Sequence, residues 1–157
     1  TVCSPETAGN FSAVAYYFGK KLQDSLQVPV GLICNAIGGS PTEAWIDRST
    51  LEYHFPAILR NWMQNDFIQD WVRGRAALNV KQSSNKLQRH PYEPCYLYES
   101  GIRPLEQFPV KGFIWYQGES NAHNREIMKS CSDCWWKVGA RIGGMRNFHS
   151  ILSNCPV

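Results

Sequence analysis

The residues best placed to do chemistry stand at 117–121, where the small or polar sequence Gln-Gly-Glu-Ser-Asn ends an apolar run. That run, at 110–116, contains Phe, Ile, Trp and Tyr, a composition that predicts a strand covered on both faces. In open α/β sheets, ligands bind beyond the carboxyl ends of the strands. We therefore expect all five residues at 117–121 to lie where a ligand binds.

A second polar segment follows an earlier predicted strand, at 28–34. That strand leads into Asn-Ala-Ile-Gly-Gly-Ser-Pro at 35–41, and paired glycines permit positive φ angles and close approach of the backbone to a ligand. A plain tight turn is the alternative, because glycine is the default turn residue. Residues 42–46 then predict a short helix with Thr42 as its cap.

The elements that must position these two segments alternate along the chain. Apolar residues at i, i+3 and i+4 spacings predict a helix at 10–26, which Asn10 or Ser12 can cap. Helical spacing recurs across 49–80, where a stripe of tryptophans is more often core than sugar platform. A second short helix is expected at 95–102. This order is typical of a doubly wound α/β fold with a parallel sheet.

Composition limits the classes of function that suit the chain. With 157 residues, 43% of them hydrophobic and 18% charged, it has the make-up of a globular domain. The net charge of +3 is small and no basic run interleaves with aromatics, so we predict no nucleic-acid partner. No apolar stretch approaches ~18 residues, so no membrane span is predicted. The six tryptophans suit carbohydrate contact, although burial in a core is their commoner use.

The six cysteines suggest either a disulfide scaffold or a metal site. Their scattered placement argues against the scaffold, and Cys34 lies in an apolar run where a small core residue is expected. The Cys131-x-x-Cys134 pair has no second pair at a suitable spacing, so we predict no metal. Nothing in the sequence calls for a cofactor, and none is predicted.

Two blocks of residues carry a resemblance to a known family. One is Val-Gly-Leu-Ile at 30–33 leading into Gly-Gly-Ser-Pro-Thr-Glu-Ala-Trp at 38–45, and the other is Lys-Gly-Phe-Ile-Trp-Tyr-Gln-Gly-Glu-Ser-Asn at 111–121. Over residues 3–127 the chain resembles the sialate O-acetylesterases and related carbohydrate acetylesterases of the SGNH hydrolase superfamily. The resemblance implies an α/β fold with a three-layer, flavodoxin-like parallel sheet flanked by helices, incomplete in this chain. One departure is Glu-Ser at 99–100, where the family pattern has Asn-Gly.

The resemblance implies ester hydrolysis by a serine that a histidine and an aspartate activate, with donors that bind the tetrahedral oxyanion. The family's Gly-Gln-Ser-Asn turn and D-x-x-H block do not occur in this sequence, so the resemblance places the nucleophile before Thr1 and its partners after Val157. This chain then carries the oxyanion side of the site. The implied donors are the Gly39 amide and the side chain of Gln117, with that of Asn121 as the second choice.

The resemblance also implies supporting and substrate-binding residues. Glu119 is expected to hold its loop through hydrogen bonds to backbone donors, and Trp45, Trp115 and Tyr116 are candidate substrate-binding residues. The implied substrate is an acetylated carbohydrate, sialic acid or a related sugar, in a periplasmic, extracellular or lysosome-like compartment. The full-length protein is expected to be an active esterase and this chain alone inactive. The oligomeric state is left open.

Two other classes of function stay open. Glu119 could be a glycosidase acid or base, which requires a second carboxylate about 5–10 Å away, and Glu43 and Asp47 are the candidates. A solvated surface position is the simpler interpretation of Glu119. Alternatively, the chain could be a non-catalytic sugar-binding module.

The stretch at 128–157 breaks the pattern, because the fold predicts a helix and a strand there and the sequence has neither period. A reading-frame error explains this. Suppose that one T was lost after the codon for Ile127. Each original codon then consists of the last base of one present codon and the first two bases of the next. The restored string has a helical apolar period followed by Pro-Phe-Tyr-Phe-Val, which supplies the helix and the strand. We therefore predict a partial family domain at 1–127 and a frame-shifted, non-native tail at 128–157.

Overall fold

Helices and short turns, rather than strands, make up most of the chain. The computed structural model describes residues 2–85, 87–117, 119–124 and 151–152. The chain divides into two units, Thr1–Ala36 and Ile37–Val157. No described helix combines the length and the apolar character that crossing a membrane requires.

The first unit contains a short helix, α1 (Pro5–Ala8), and a longer one, α2 (Ala13–Leu26). The helix predicted at 10–26 is thus confirmed, with a later start. Of its two candidate caps, Ser12 is the one used, because its Oγ accepts a hydrogen bond from the Ala15 amide at 3.3 Å. The helix ends at a residue with a left-handed φ of 54°, a common way to terminate a helix.

The segment at 28–34 is not a strand, so that prediction is wrong. A strand needs ladder hydrogen bonds to a neighbour, and this segment has no such partner among the described residues. Instead it packs on α2. A Cβ at Gly19 would lie 2.7 Å from a methyl carbon of Leu32, so the glycine is what lets Leu32 approach the helix. Cys34 is exposed, which corrects the expectation of a core position.

The second unit continues from the glycine turn as a series of short helices. The helix predicted at 42–46 is a 3-10 turn, Thr42–Trp45. The helical regions predicted at 49–80 and 95–102 are confirmed in shorter pieces. These are α3 (Arg48–His54), 3-10 turns at Pro56–Leu59 and Trp62–Gln64, α4 (Asp70–Gln82), a π-helical turn at Tyr98–Ile102 and a 3-10 turn at Arg103–Leu105.

The main core of this unit forms where the segment through α3 meets the segment through the π-helical turn. Fully buried side chains include Ile46 and Leu51 from the first segment and Cys95 from the second. The Cys95 amide donates a hydrogen bond to the Glu43 carbonyl at 3.0 Å, which joins the two segments through their backbones. Burial raises the pKa of the Cys95 thiol to about 12, so this cysteine is an unreactive core residue.

One pair of short strands lies in the second unit, where β1 (Ile114–Trp115) pairs in parallel with β2 (Ile151–Leu152). The strand predicted at 110–116 is therefore confirmed only in part. The described residues show a mixed, helix-rich fold and no larger sheet, because the segment at 28–34 supplies no ladder. Apart from β2, the tail predicted to be non-native, at 128–157, lies outside the described residues.

Candidate active site

Gly39 occupies a turn that accepts glycine alone. Its φ is +76°, in the left-handed region that side chains disfavour. A Cβ there would lie 2.7 Å from the Tyr92 hydroxyl oxygen and 3.1 Å from Cη2 of Trp71. The Tyr92 hydroxyl in turn donates a hydrogen bond to the Gly38 carbonyl at 2.8 Å. The backbone conformation and the packing therefore each require glycine at this position.

Ser40 joins the glycine turn to the core. Its Oγ donates to the Ile37 carbonyl at 2.8 Å and accepts from the Trp45 indole N–H at 2.9 Å. Trp45 is 5% exposed and packs edge-to-face against Trp115, with 6.5 Å between the ring centroids. Of the three aromatic residues predicted to bind substrate, Trp45 thus supports the turn from the core side, Trp115 is half-buried and Tyr116 is exposed. Their contact with a substrate stays a prediction.

The structure brings the two predicted polar segments together. The Nε2 group of Gln117 donates a hydrogen bond to the Ser40 carbonyl at 3.0 Å. The Ser120 hydroxyl donates to the Gly39 carbonyl at 3.1 Å. These bonds join residues 77 and 81 positions apart, so they belong to the tertiary structure and not to any local turn.

Asn121 is the hub of this contact, and it is only 1% exposed. Its Oδ1 accepts a hydrogen bond from the Thr42 amide at 2.9 Å and another from Gln117 Nε2 at 3.3 Å. Its Nδ2 donates to Glu43 Oε2 at 2.9 Å. The backbone donor at Thr42 fixes which end of the Asn121 amide is the acceptor. Asn121 therefore holds both segments in one arrangement.

The Thr42 hydroxyl has one proton and two acceptors within reach, Gln117 Oε1 at 2.6 Å and Asn121 Oδ1 at 3.0 Å. The shorter distance favours Gln117. A carbonyl oxygen can only accept a hydrogen bond, so the atom of the Gln117 amide that faces the Ser40 carbonyl must be Nε2. The Oε1 atom of Gln117 then faces the Thr42 hydroxyl. The Gln117 side chain is therefore oriented at both ends by the glycine turn and the residues that follow it.

Glu43 is a fully buried carboxyl in the same cluster. Its Oε2 accepts the hydrogen bond from Asn121, whereas Oε1 has no partner among the described residues. Burial raises the pKa of Glu43 above its ordinary value, and the hydrogen bond from Asn121 opposes that shift. Glu43 therefore keeps its proton to a higher pH than a solvated glutamate.

The other two carboxylates considered for the site differ in their surroundings. Glu119 is exposed, and its carbonyl accepts a hydrogen bond from the Ala122 amide at 3.3 Å. Asp47 is buried and caps α3, because its carboxylate accepts hydrogen bonds from the amide and the hydroxyl of Thr50. The support role of Glu119, like its acid–base alternative, stays a prediction.

Sequence reasoning missed two residues beside the glycine turn. Tyr92 binds the Gly38 carbonyl, and Trp71, a member of the predicted core stripe, is 43% exposed. The core expectation is therefore wrong for Trp71. For Trp71, the sequence signal that could have indicated an exposed position was Arg75, which lies four residues later on the same face of the helix. In the described part of the chain, no group of three His, Cys, Asp or Glu side chains is arranged to hold a metal ion.

Comparison with known proteins identifies the family. Residues 7–134 match the model of a family described as carbohydrate esterase, sialic acid-specific acetylesterase. Because that match spans most of the chain, the chain belongs to this family of carbohydrate esterases. No solved structure matches it.

The curated proteins that the chain matches include three sialate O-acetylesterases. The chain is 33% identical to that of Rattus norvegicus over an alignment of 157 positions, and the match covers 90% of the chain and 27% of the relative. It is 34% identical to that of Mus musculus over 131 residues, 76% of the chain and 24% of the relative. It is also 34% identical to that of Homo sapiens over 122 residues, 77% of the chain and 19% of the relative. The chain thus spans about a quarter of the length of the relatives it matches.

Proposed function

We propose that the protein to which this chain belongs removes O-acetyl groups from sialic acid or a related sugar by serine-esterase chemistry. Family membership and the names of the relatives support this reaction class. The observation that carries the proposal is the fixed Gln117 amide, held against the Ser40 carbonyl at 3.0 Å beside the positive-φ Gly39. In this proposal the chain supplies the oxyanion donors and the rest of the protein supplies Ser, His and Asp.

The chemistry explains why such donors are needed. When a serine Oγ attacks the acetyl carbon, the carbonyl π electrons move onto oxygen and the histidine takes the serine proton. The oxyanion collapses to an acetyl-enzyme as the bond to the sugar oxygen breaks, and that oxygen takes the proton from the histidine and leaves as the sugar hydroxyl. Water then releases acetate in the same way. Each step passes through an oxyanion that N–H donors already in position stabilise without reorganising.

Gln117 is the side chain that the surroundings favour as such a donor. Its Nε2 carries two protons, one committed to the Ser40 carbonyl and one in a longer bond of 3.3 Å to Asn121. Asn121 Oδ1 would keep the Thr42 amide as a partner if the longer bond turned toward an oxyanion. The Nδ2 group of Asn121 is bound to buried Glu43, which supports Asn121 as the second choice.

A finer statement about the fold belongs to the same proposal. We infer that β1 is part of a parallel, flavodoxin-like sheet with helices on both faces, to which this chain contributes one portion. The parallel pairing of β1 with β2 supports this, as does the position of Gln117 just beyond the carboxyl end of β1.

The decisive experiment is Gln117→Ala in the full-length protein, assayed on acetyl esters. Loss of one oxyanion donor should lower kcat by roughly 10²–10³-fold. KM should change far less, because the donor acts on the transition state rather than on bound substrate. Gln23→Ala, at an exposed position on α2, is the matched control and should keep wild-type kinetics.

A rise in KM with kcat unchanged would make Gln117 a ground-state contact and sink its assignment as a donor. The same preparation should be tested on a para-nitrophenyl glycoside. Turnover of the glycoside without turnover of para-nitrophenyl acetate would instead support the glycosidase alternative centred on Glu119.

A further inference from the structure

An exposed aromatic–cationic surface lies beside the glycine turn and takes no part in the oxyanion network. It consists of Trp71 and Arg75 on α4, lies against the hydroxyl of the buried Tyr92, and is called the Trp71 patch below. Trp71 is 43% exposed, although Val72, the next residue on the same helix, is fully buried. Cη2 at the edge of the Trp71 ring lies 3.1 Å from the position that a Cβ of Gly39 would take. The ring is therefore an immediate neighbour of Gly39.

Arg75 lies one helical turn from Trp71, on the same face of α4. Its guanidinium carbon is 5.5 Å from the centroid of the Trp71 ring. Its Nη1 is 3.5 Å from the Tyr92 hydroxyl oxygen, whose own proton is donated to the Gly38 carbonyl. The cation is thus held over the ring and turned toward the side of the molecule that carries the glycine turn.

The positive charge of Arg75 is not neutralised within the described part of the chain, where no carboxylate forms an ion pair with it. Two other arginines of the same unit differ in this respect. Arg73 pairs with Asp66 and Asp70, and Arg89 pairs with Glu93 and Glu99. Arg75 is therefore a cation beside the candidate site that is free to accept an external carboxylate.

The geometry points to the Trp71 patch as a subsite for an acidic sugar, with the sugar ring against Trp71 and its carboxylate on Arg75. This inference rests on the proposed function, because it takes the acetyl group to lie at Gly39. Arginine suits the task, since its planar guanidinium donates two parallel hydrogen bonds to a carboxylate. An indole face offers a flat apolar surface to the C–H groups of a sugar. Together they would select an acidic sugar over a neutral one.

The competing explanation is that Arg75 merely stacks on Trp71 to stabilise α4. Cation–π pairs at exposed sites stabilise a helix surface without any ligand. The two explanations differ in one measurable respect. A stacking pair changes thermal stability alone, whereas a subsite distinguishes a sugar acid from its uncharged ester.

The test is equilibrium binding to the full-length protein by isothermal titration calorimetry at fixed ionic strength. The probes are N-acetylneuraminic acid and its methyl ester, which differ in the charge of the carboxyl group. The wild-type protein should bind the acid more tightly. Arg75→Met keeps an aliphatic stem and removes the charge, and it should weaken acid binding about tenfold while leaving ester binding nearly unchanged. Trp71→Ala should weaken both probes.

Lys81→Met is the matched control, because it removes one positive charge from the last turn of the same helix. It should leave both affinities unchanged. Equal affinity of the wild-type protein for acid and ester, or equal effects of Arg75→Met and Lys81→Met, would overturn the subsite. Should Arg75→Met fail to fold, Arg75→Lys serves in its place, and it should weaken acid binding more than ester binding because it loses the planar fork.

Binding is measured without turnover, which separates this inference from the proposed function. An inactive protein that still prefers the acid through Arg75 would defeat the esterase proposal and keep the subsite. An active esterase without that preference would defeat the subsite alone.

Discussion

At the scale of single residues, Glu43 bears the largest electrostatic cost in the site. A buried carboxylate with one hydrogen bond is poorly compensated for its lost hydration, and Glu43 accepts from Asn121 while Oε1 has no described partner. Burial raises its pKa, so folding shifts this carboxyl toward the neutral acid relative to the unfolded chain. The neutral acid would hold the Asn121 amide without placing a charge beside the proposed oxyanion donors.

This predicts how Glu43→Gln changes stability with pH. The folded state binds the Glu43 proton more tightly than the unfolded chain, whose ordinary pKa is 4.5. The contribution of Glu43 is fully present below that value and is lost as the pH rises through the raised pKa of the folded state. Glutamine mimics the neutral acid and cannot titrate. The variant should therefore gain stability relative to the wild-type protein as the pH is raised above 4.5.

Urea denaturation at a series of pH values measures this difference. Glu52→Gln is the matched control, because Glu52 lies on the surface in a 3.6 Å pair with Arg48. Its curve should run parallel to that of the wild-type protein. Parallel curves for Glu43→Gln as well would mean that folding does not raise the pKa of Glu43, and the neutral-acid role would fail.

At the scale of elements, the site consists of two short 3-10 turns, Thr42–Trp45 and Glu119–Asn121. Turns of this length have no stability of their own, since 3-10 geometry is poor and helix nucleation is costly. Their positions depend on the bonds between them, and Asn121 makes or receives most of these. The first turn is also held by the main core, in which Ala44 and Trp45 are buried, and by the hydrogen bond from the Cys95 amide to the Glu43 carbonyl.

Asn121→Ala should therefore separate the two turns. It leaves the buried Thr42 amide and Glu43 carboxyl without their partner, and an unsatisfied buried polar group costs about 1–3 kcal/mol. The free energy of unfolding should fall by at least that amount in urea titrations. Asn85→Ala, which removes the same side chain from an exposed turn, should change it by no more than about 0.5 kcal/mol. Similar losses for both variants would show that Asn121 is not the hub.

At the scale of the whole molecule, the predicted change of reading frame concerns the stretch at 128–157. β2 lies within the stretch predicted to be frame-shifted and pairs with β1. The restored Phe-Tyr-Phe-Val string falls at 150–153 and so overlaps β2. The present frame places glycines at 139, 143 and 144 where the fold predicts a helix, and each costs about 1 kcal/mol relative to alanine in a helix interior.

We expect that restoring one base before the Met128 codon replaces the tail with a helix and a strand and improves solubility. The physical reason is that an apolar strand edge without its proper cover favours aggregation. Limited proteolysis should cut the present chain soon after Ile127 and spare the restored one. A genomic read that keeps the present frame, together with a tail that resists protease, would defeat the idea.

The sequence by itself determined the local elements and the two blocks that carry the site. The period of α2, the pair of candidate caps Asn10 and Ser12, and the polar stop after β1 all follow from residue type and spacing. These features depend on neighbours along the chain, so their physical causes are present in the sequence. Contact between the two blocks was also expected, because family resemblance placed both on the oxyanion side.

Only the tertiary structure decided which side chains are buried and what they bind. A helical period shows that one face is apolar but not what covers it, which is why Trp71 was expected in the core and is 43% exposed. The segment at 28–34 has strand composition and no partner, since ladder bonds depend on another segment being near. The hydrogen-bond partner of the Glu43 carboxyl and the orientation of Gln117 depend on residues about 75–80 positions away. Burial and long-range hydrogen bonds are properties of the folded chain, so no local pattern could specify them.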